Sequence, residues 1–243
     1  MRNVQDRALD IAKMIDHSLL HPALTDQELK EGCEIAAMYH AASACVKPCD
    51  VRQAKLYLEG SDVVVCGVVG FPHGNSTIEI KALETEQVIR DGAVEVDMVV
   101  NIGKVLSEDW DYIQREIQTI VRIVKEHGAV LKVIFENDLL PDDRFKIRLC
   151  EICSACQVDY VKTSTGYNYV KGPEGCYSYQ GATEHDLLLM RRHSAPEVQI
   201  KAAGGVGNLD AILRVRELGV TRVGTKSTRA IVEEARRRFD HPY

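Results

Sequence analysis

The chain has 243 residues, 45% of them hydrophobic and 27% charged, with a formal net charge of −6. That balance is globular, neither disordered nor membrane-like, and the chain is long enough to bury a sizeable core. No run of roughly 18 apolar residues marks a membrane span. No basic stretch is rich enough for a nucleic-acid surface, and the opening MRNVQDRALDIAK lacks an apolar signal core, so a cytoplasmic location is expected.

In chain order, a short helix is expected at Val4–Lys13, and strands and helices then alternate. Strand Met14–Asp16 precedes helix Asp26–His40, Ala44–Val46 precedes Val51–Glu59, and Val63–Val69 precedes Ile78–Asp91. Strand Val94–Val99 leads to the long helix Asp109–His127, and Leu131–Phe135 leads to Asp142–Cys156. Tyr160–Thr163, Gln199–Ala202 and Arg222–Gly224 precede helices Thr183–Arg192, Leu209–Leu218 and Thr228–Phe239. Thr25 or Asp26 is placed to cap the first of these helices and Gly128 to end the long one. Eight strand–helix units in one chain predict an α/β fold, a single (β/α)8 TIM barrel over residues 1–243 with a short N-terminal helix. The competing doubly wound sheet in its dinucleotide-binding form would carry G-x-G-x-x-G after the first strand, and no such motif is present. The longest irregular stretch, Gly166–Gly181, follows the sixth strand, and loops of that length are often functional.

The eight cysteines include Cys150, Cys153 and Cys156 at C-x2-C-x2-C spacing. An iron–sulfur cluster needs a fourth thiolate, and no Cys-Pro completes the pattern, so the three read as small apolar residues on one helix face. The eight histidines contain no H-x-H or H-E-x-x-H pair, and His17 and His21 fall where a strand is expected. No metal and no cofactor is therefore expected.

Four strands break the apolar rule. VEVDMVV, LKVIFE, YVKTST and QIKAAGG each carry charge, which singles out Asp97, Lys132, Lys162 and Lys201. Buried charge is costly unless paired, and polar groups near the C-terminal ends of barrel strands mark active sites. The bland alternative is an internal ion-pair network, with Lys132 and Glu136 as one pair. Two neighbouring lysines have a chemical use. A second ammonium and a low-dielectric wall disfavour the charged form of the first, and a neutral amine attacks carbonyls to form a Schiff base. A carboxylate such as Asp97 then relays protons. The turns KAAGGVGN and VGTKST lead into helices after the last two strands. Their backbone amides make Gly204, Gly205, Gly224 and Ser227 candidate phosphate donors.

The segments MIDHSLLHP, ASACVKP, VVGFPHG, VEVDMVVNIG, LKVIFEN, DYVKTSTGY, IKAAGGV and RVGTKS resemble, in order and spacing, the signatures of the deoxyribose-phosphate aldolase family. The resemblance implies a class I barrel aldolase that reversibly splits 2-deoxy-D-ribose 5-phosphate into D-glyceraldehyde 3-phosphate and acetaldehyde. It implies Lys162 as the Schiff-base lysine, with Lys201 and Asp97 as its catalytic partners. Asp16, Cys45, Lys132, Thr163 and Gly166 are expected at the substrate, and Gly204, Gly205, Gly224, Lys226 and Ser227 at its phosphate. A phosphosugar is then the one small-molecule partner, with a homodimer the expected assembly. The sequence departs from the family pattern at Tyr167, at an apparent insertion after it, and at Lys226, Lys47, His73 and Asn137–Asp138. Lys226 adds positive charge at the phosphate end. Two alternatives stay open: a related Schiff-base aldolase or lyase for another phosphorylated sugar, and a non-catalytic phosphosugar-binding barrel.

Overall fold

Short runs of Val, Ile and Ala suit strands that are buried on both faces, and the intervening amphipathic stretches suit the helices that cover them. The computed structural model of the protein describes residues 4–172 and 174–240. In chain order the elements are α1 (Val4–Ala12), β1 (Ile15–Leu19), α2 (Asp26–Met38), β2 (Ser43–Val46), α3 (Val51–Tyr57), β3 (Val64–Val69), α4 (Ile78–Arg90) and β4 (Glu95–Val99). There follow α5 (Ile102–Leu106), α6 (Trp110–Glu126), β5 (Val130–Ile134), α7 (Asp143–Ala155), β6 (Tyr160–Lys162), β7 (Val170–Lys171) and β8 (Tyr177–Ser178). The chain ends through α8 (Glu184–His193), β9 (Gln199–Ala203), α9 (Leu209–Glu217), β10 (Val220–Thr225) and α10 (Thr228–Asp240).

Eight of the strands close into a parallel barrel in the order β1-β10-β9-β6-β5-β4-β3-β2. The expected TIM barrel is present, and α1 packs against α10 beside the β1–β10 seam. Side-chain caps begin most helices. Thr25 forms a reciprocal capping box with Glu28 at α2, and Thr77, Asp109, Thr183 and Asn208 cap α4, α6, α8 and α9. Gly128, at φ +64°, follows the last turn of α6 as expected.

Three features differ from the sequence expectation. The first strand begins and ends later than Met14–Asp16, so His17 and Leu19 belong to it. The five-residue α5 lies in what reads as a plain connection. The stretch read as irregular contains an antiparallel hairpin, β7 paired with β8. The Cys150, Cys153 and Cys156 thiols lie on α7 and at its end, the first two fully buried among core side chains. Burial pushes the Cys150 thiol up to about 12, in keeping with its place among core side chains.

A buried ion pair fastens the outer layer near the end of β4. Lys81 of α4 and Glu116 of α6 are both fully buried, with Nζ 2.6 Å from Oε1. Lys81 also donates to the Val99 carbonyl at 2.6 Å, and Glu116 accepts the Asn101 amide at 3.0 Å. The Lys81 stem lies against Gly70, where any Cβ would come within 2.7 Å of its Cε. Lys81→Met therefore leaves Glu116 buried without its cation and is expected to cost about 3–5 kcal/mol in urea unfolding. The double change Lys81→Met with Glu116→Leu is expected to cost less than the single one.

Candidate active site

Side chains alternate across a strand, so Glu95, Asp97 and Val99 of β4 share one face. Register sets Asp97 opposite Lys132 on β5, and Lys162 on β6 opposite Lys201 on β9. The four charged residues singled out in the sequence are thus brought together inside the barrel, each at most 2% exposed.

Asp97 is the hub. Its Oδ2 accepts from the ammonium groups of both Lys162 and Lys201, at 2.7 Å each. Its Oδ1 accepts from Lys132 Nζ at 2.9 Å and from the Cys66 thiol at 3.1 Å. Around this hub lies a second tier. Lys201 Nζ is 2.5 Å from Asp16 Oδ2, and Asp16 Oδ1 accepts from Arg222 at 2.6 Å and from the Ser43 hydroxyl at 2.7 Å. Lys132 reaches Glu95 at 2.6 Å, and Arg222 reaches Glu95 at 3.1 Å. Burial alone would push the Asp97 carboxyl up. The surrounding Lys132, Lys162 and Lys201 ammoniums reverse this and hold it well below the usual carboxylate range. Burial likewise opposes the charge on Lys201 and Lys132, but the carboxylates of Asp16 and Asp97 hold both firmly protonated.

A glycine-edged cleft of about 660 Å³, with both apolar and charged side chains in its walls, opens beside this network. Lys162 lines it, whereas Asp97, Lys132, Lys201 and Arg222 lie outside its lining. A lysine at the end of a barrel strand, on a buried carboxylate and at the floor of a cleft, has the setting of an amine nucleophile. The family model described as DeoC/LacD family aldolase matches residues 11–223. The chain belongs to the DeoC/LacD aldolase family. It is 47% identical to a protein of Rhodopirellula baltica named deoxyribose-phosphate aldolase, over 96% of this chain and 92% of that protein. It is 42% identical to the protein of that name from Caldanaerobacter subterraneus subsp. tengcongensis, over 96% and 97%. The solved deoxyribose-phosphate aldolase of Aeropyrum pernix, described as a unique tetramer, is similar at TM-score 0.82 and 28% identity, over 95% and 94%. The protein is thus an aldolase, a carbon–carbon lyase.

Against this family background, Gly166, Gly204, Gly205, Gly224, Lys226 and Ser227 line the same cleft as Lys162. Gly204 and Gly205 take φ of +89° and +81°, a backbone that other residues rarely adopt. Ser227 immediately precedes α10, so the cleft meets a helix N-terminus. The other expected substrate contacts lie deeper. Lys132 is fully buried and spends its ammonium on Glu95, Asp97 and the Cys66 sulfur, at 2.6, 2.9 and 3.4 Å. Glu136, the partner expected for it from the sequence, is not among these. Glu136 instead accepts from Thr165 N at 3.1 Å, from Thr165 Oγ1 at 2.5 Å and from Asn168 Nδ2 at 2.7 Å. Thr163 bridges β6 and β9 through the Ala203 backbone, and Asp16 and Cys45 are buried behind the cleft wall.

Sequence reasoning missed Glu95 and Arg222, although Glu95 shares a strand face with Asp97 and Arg222 sits within the last strand run. It also passed over His17, which lines the cleft, and over the two hairpin tyrosines Tyr169 and Tyr179 that wall it. His17 is 4% exposed, with Nδ1 2.8 Å from Thr228 Oγ1, and burial pushes its ring down to about 4. The unfolded chain protonates this histidine near pH 6.5 and the native protein only near 4. The unfolded state therefore binds more protons across that window, and stability falls as pH drops through it. The loss assigned to His17 is about 2 kcal/mol between pH 7 and pH 5. His17→Gln is expected to remove that part of the slope in urea unfolding at the two pH values.

Proposed function

We propose that the chain is a single-domain, metal-independent class I aldolase that reversibly cleaves 2-deoxy-D-ribose 5-phosphate to D-glyceraldehyde 3-phosphate and acetaldehyde. One observation carries the reading: Lys162 alone joins the buried charge network to the cleft, and it shares one Asp97 oxygen with Lys201. The substrate follows from the names of the relatives at 42–47% identity.

The amine of Lys162 must be free of its proton to attack. Within the network Lys132, Lys162, Lys201 and Arg222 face the carboxylates of Asp16, Glu95 and Asp97. With Lys162 as a neutral amine, cations and carboxylates balance. In the cleavage direction Nζ adds to C1 of the open-chain aldose, and loss of water gives an iminium. A base removes the C3 hydroxyl proton, the C2–C3 bond breaks, and its electron pair flows into the iminium. Glyceraldehyde 3-phosphate leaves, and an enamine stays on Lys162. Protonation at C2 and hydrolysis then release acetaldehyde and restore the amine. Asp97 and Lys201 are the relay for these protons, with Lys201 the charged member. Lys132 is a positioning residue that fixes Asp97 from below. The phosphate is assigned to the amides of Gly204 and Gly205 and the start of α10, where the Ser227 amide is held by Thr225 Oγ1 at 3.2 Å, with Lys226 adding a cation at its rim. Support for Lys226 is its place in the cleft wall on an exposed turn.

A homodimer and a cytoplasmic location belong to the same proposal. Among the described residues no helix is long and apolar enough to cross a membrane.

Borohydride reduction in the presence of 2-deoxyribose 5-phosphate is expected to leave an adduct on Lys162, mapped by peptide mass, and none in Lys162→Ala. An adduct formed only with another sugar phosphate would move the substrate and keep the mechanism, and no adduct with any carbonyl compound would end the aldolase reading. Lys226→Ala is expected to raise KM for the phosphorylated sugar about fivefold, as suits an exposed ion pair with a dianion, and to spare that for 2-deoxyribose. Equal KM shifts for both sugars would remove Lys226 from the phosphate end.

A further inference from the structure

The hairpin after β6 is not a loose appendage. Its incoming arm is pinned where Asn168 Nδ2 donates to the Pro72 carbonyl at 2.9 Å and to Glu136 at 2.7 Å. Tyr167 packs edge-on against Phe71, with ring centroids 5.6 Å apart. The outgoing arm is held by Asp138, whose two carboxylate oxygens accept the Gln180 and Gly181 amides at 2.7 and 2.9 Å. Gly181 then lies backbone to backbone on Gly204, where a Cβ would meet the Gly204 carbonyl carbon at 2.7 Å. The Ala182 amide donates to the Gly204 carbonyl at 3.1 Å. The arm and the glycine turn are therefore packed directly on each other.

On that arm the Tyr179 ring covers Gly204, with Cε2 3.3 Å from the point a Cβ would occupy. Tyr169 buttresses it edge-on at 5.3 Å. Both rings line the cleft, yet Tyr169 is 51% and Tyr179 39% exposed. Two partly exposed aromatic rings in the lining of a cleft form a wall that a bound ligand would cover.

We infer that Tyr179, braced by Tyr169, is a specificity-determining residue whose ring walls the phosphate turn and sets preference for phosphorylated over unphosphorylated sugars. This rests on the phosphosugar reading above and assigns a role to the inserted hairpin. A ring over the Gly204 turn keeps water from the amides that hold a dianion. Hydrogen bonds to a charged group weaken when water competes for it. The ring acts by covering, so its hydroxyl is dispensable.

The test compares wild type, Tyr179→Ala, Tyr179→Phe and Tyr177→Ala. Tyr177 is on the same hairpin, 66% exposed and outside the cleft lining, so its change perturbs the hairpin without opening the wall. For each protein kcat/KM is measured with 2-deoxyribose 5-phosphate and with 2-deoxyribose, and inorganic phosphate binding is titrated calorimetrically. In Tyr179→Ala the ratio of the two kcat/KM values and the phosphate affinity are each expected to fall about tenfold, the scale of one charged hydrogen bond. Tyr179→Phe and Tyr177→Ala are expected to keep both. An unchanged ratio and affinity in Tyr179→Ala overturns the inference. So does an equal loss in Tyr179→Phe, which would point to the hydroxyl, or in Tyr177→Ala, which would point to hairpin stability. Wild-type protein that turns over neither sugar ends the substrate reading, and the phosphate titration still decides the wall.

Discussion

A carboxylate buried at the centre of a barrel and surrounded by three ammonium groups organises this protein. Asp97 is fully buried, and Lys132, Lys162 and Lys201 all donate to it at 2.7–2.9 Å. Removing the Asp97 carboxylate from such a cluster would leave Lys132 and Lys201 buried without a counter-charge they share, at a large cost. The cluster also ties together β4, β5, β6 and β9, half of the barrel staves. Asp16 and Arg222 extend the tie across β1 and β10. The interior is therefore held by charge as well as by packing, and its side chains have little freedom to reorient.

That rigidity has a chemical consequence. A nucleophilic amine gains from being fixed, because a substrate that enters the cleft meets it in one orientation. Lys162 is the last residue of β6, and the backbone on either side of it is tied down. Phe135 N donates to the Lys162 carbonyl at 3.0 Å, and Thr163 N donates to the Lys201 carbonyl at 3.2 Å. The Thr163 hydroxyl, expected at the substrate, spends both donor and acceptor on Ala203. It serves the site by locking the strand that presents Lys162 to the strand that presents Lys201.

Much of this was legible because charge in an apolar strand is anomalous. Asp97, Lys132, Lys162 and Lys201 stand out against their Val and Ile neighbours, and the barrel brings them together. The bland expectation of an ion-pair network is met by these residues, and the proposed chemistry is assigned to the same ones. What could not be read was partnership. Lys132 and Glu136 look paired on one strand, but an even spacing of four along a strand spans far more than a hydrogen bond. Glu136 also sits beyond the strand end at φ +61°, turned toward the β6 loop. The Lys81–Glu116 pair was invisible for a different reason: charged residues on amphipathic helices are ordinarily solvated, and nothing local marks these two as buried. Arg222 was passed over because one charge at a strand's beginning looks like a boundary residue. The hairpin escaped because its four strand residues are too few to show alternation.

The sequence departures after Tyr167 and at Asn137–Asp138 look independent along the chain, but the fold joins them. Asp138 accepts both amides of the outgoing hairpin arm, and Asn137 is buried beneath the same region with its amide 3.5 Å from the Met190 sulfur. A longer connection after β6 needs an anchor, or the added backbone would carry unsatisfied donors over the mouth of the cleft. The β5 loop supplies that anchor. Lys226 lies on the β10 turn that borders the same cleft, far along the sequence but close in the barrel order. The departures at Tyr167, Asn137–Asp138 and Lys226 thus fall on the loops after β6, β5 and β10, while the charge cluster is carried by the strands. The buried strand charges depend on one another, whereas the rim loops carry exposed side chains that border the cleft, Tyr169, Tyr179 and Lys226 among them. The proposed chemistry and the proposed specificity are thus assigned to different parts of the fold, the buried strand charges and the rim loops.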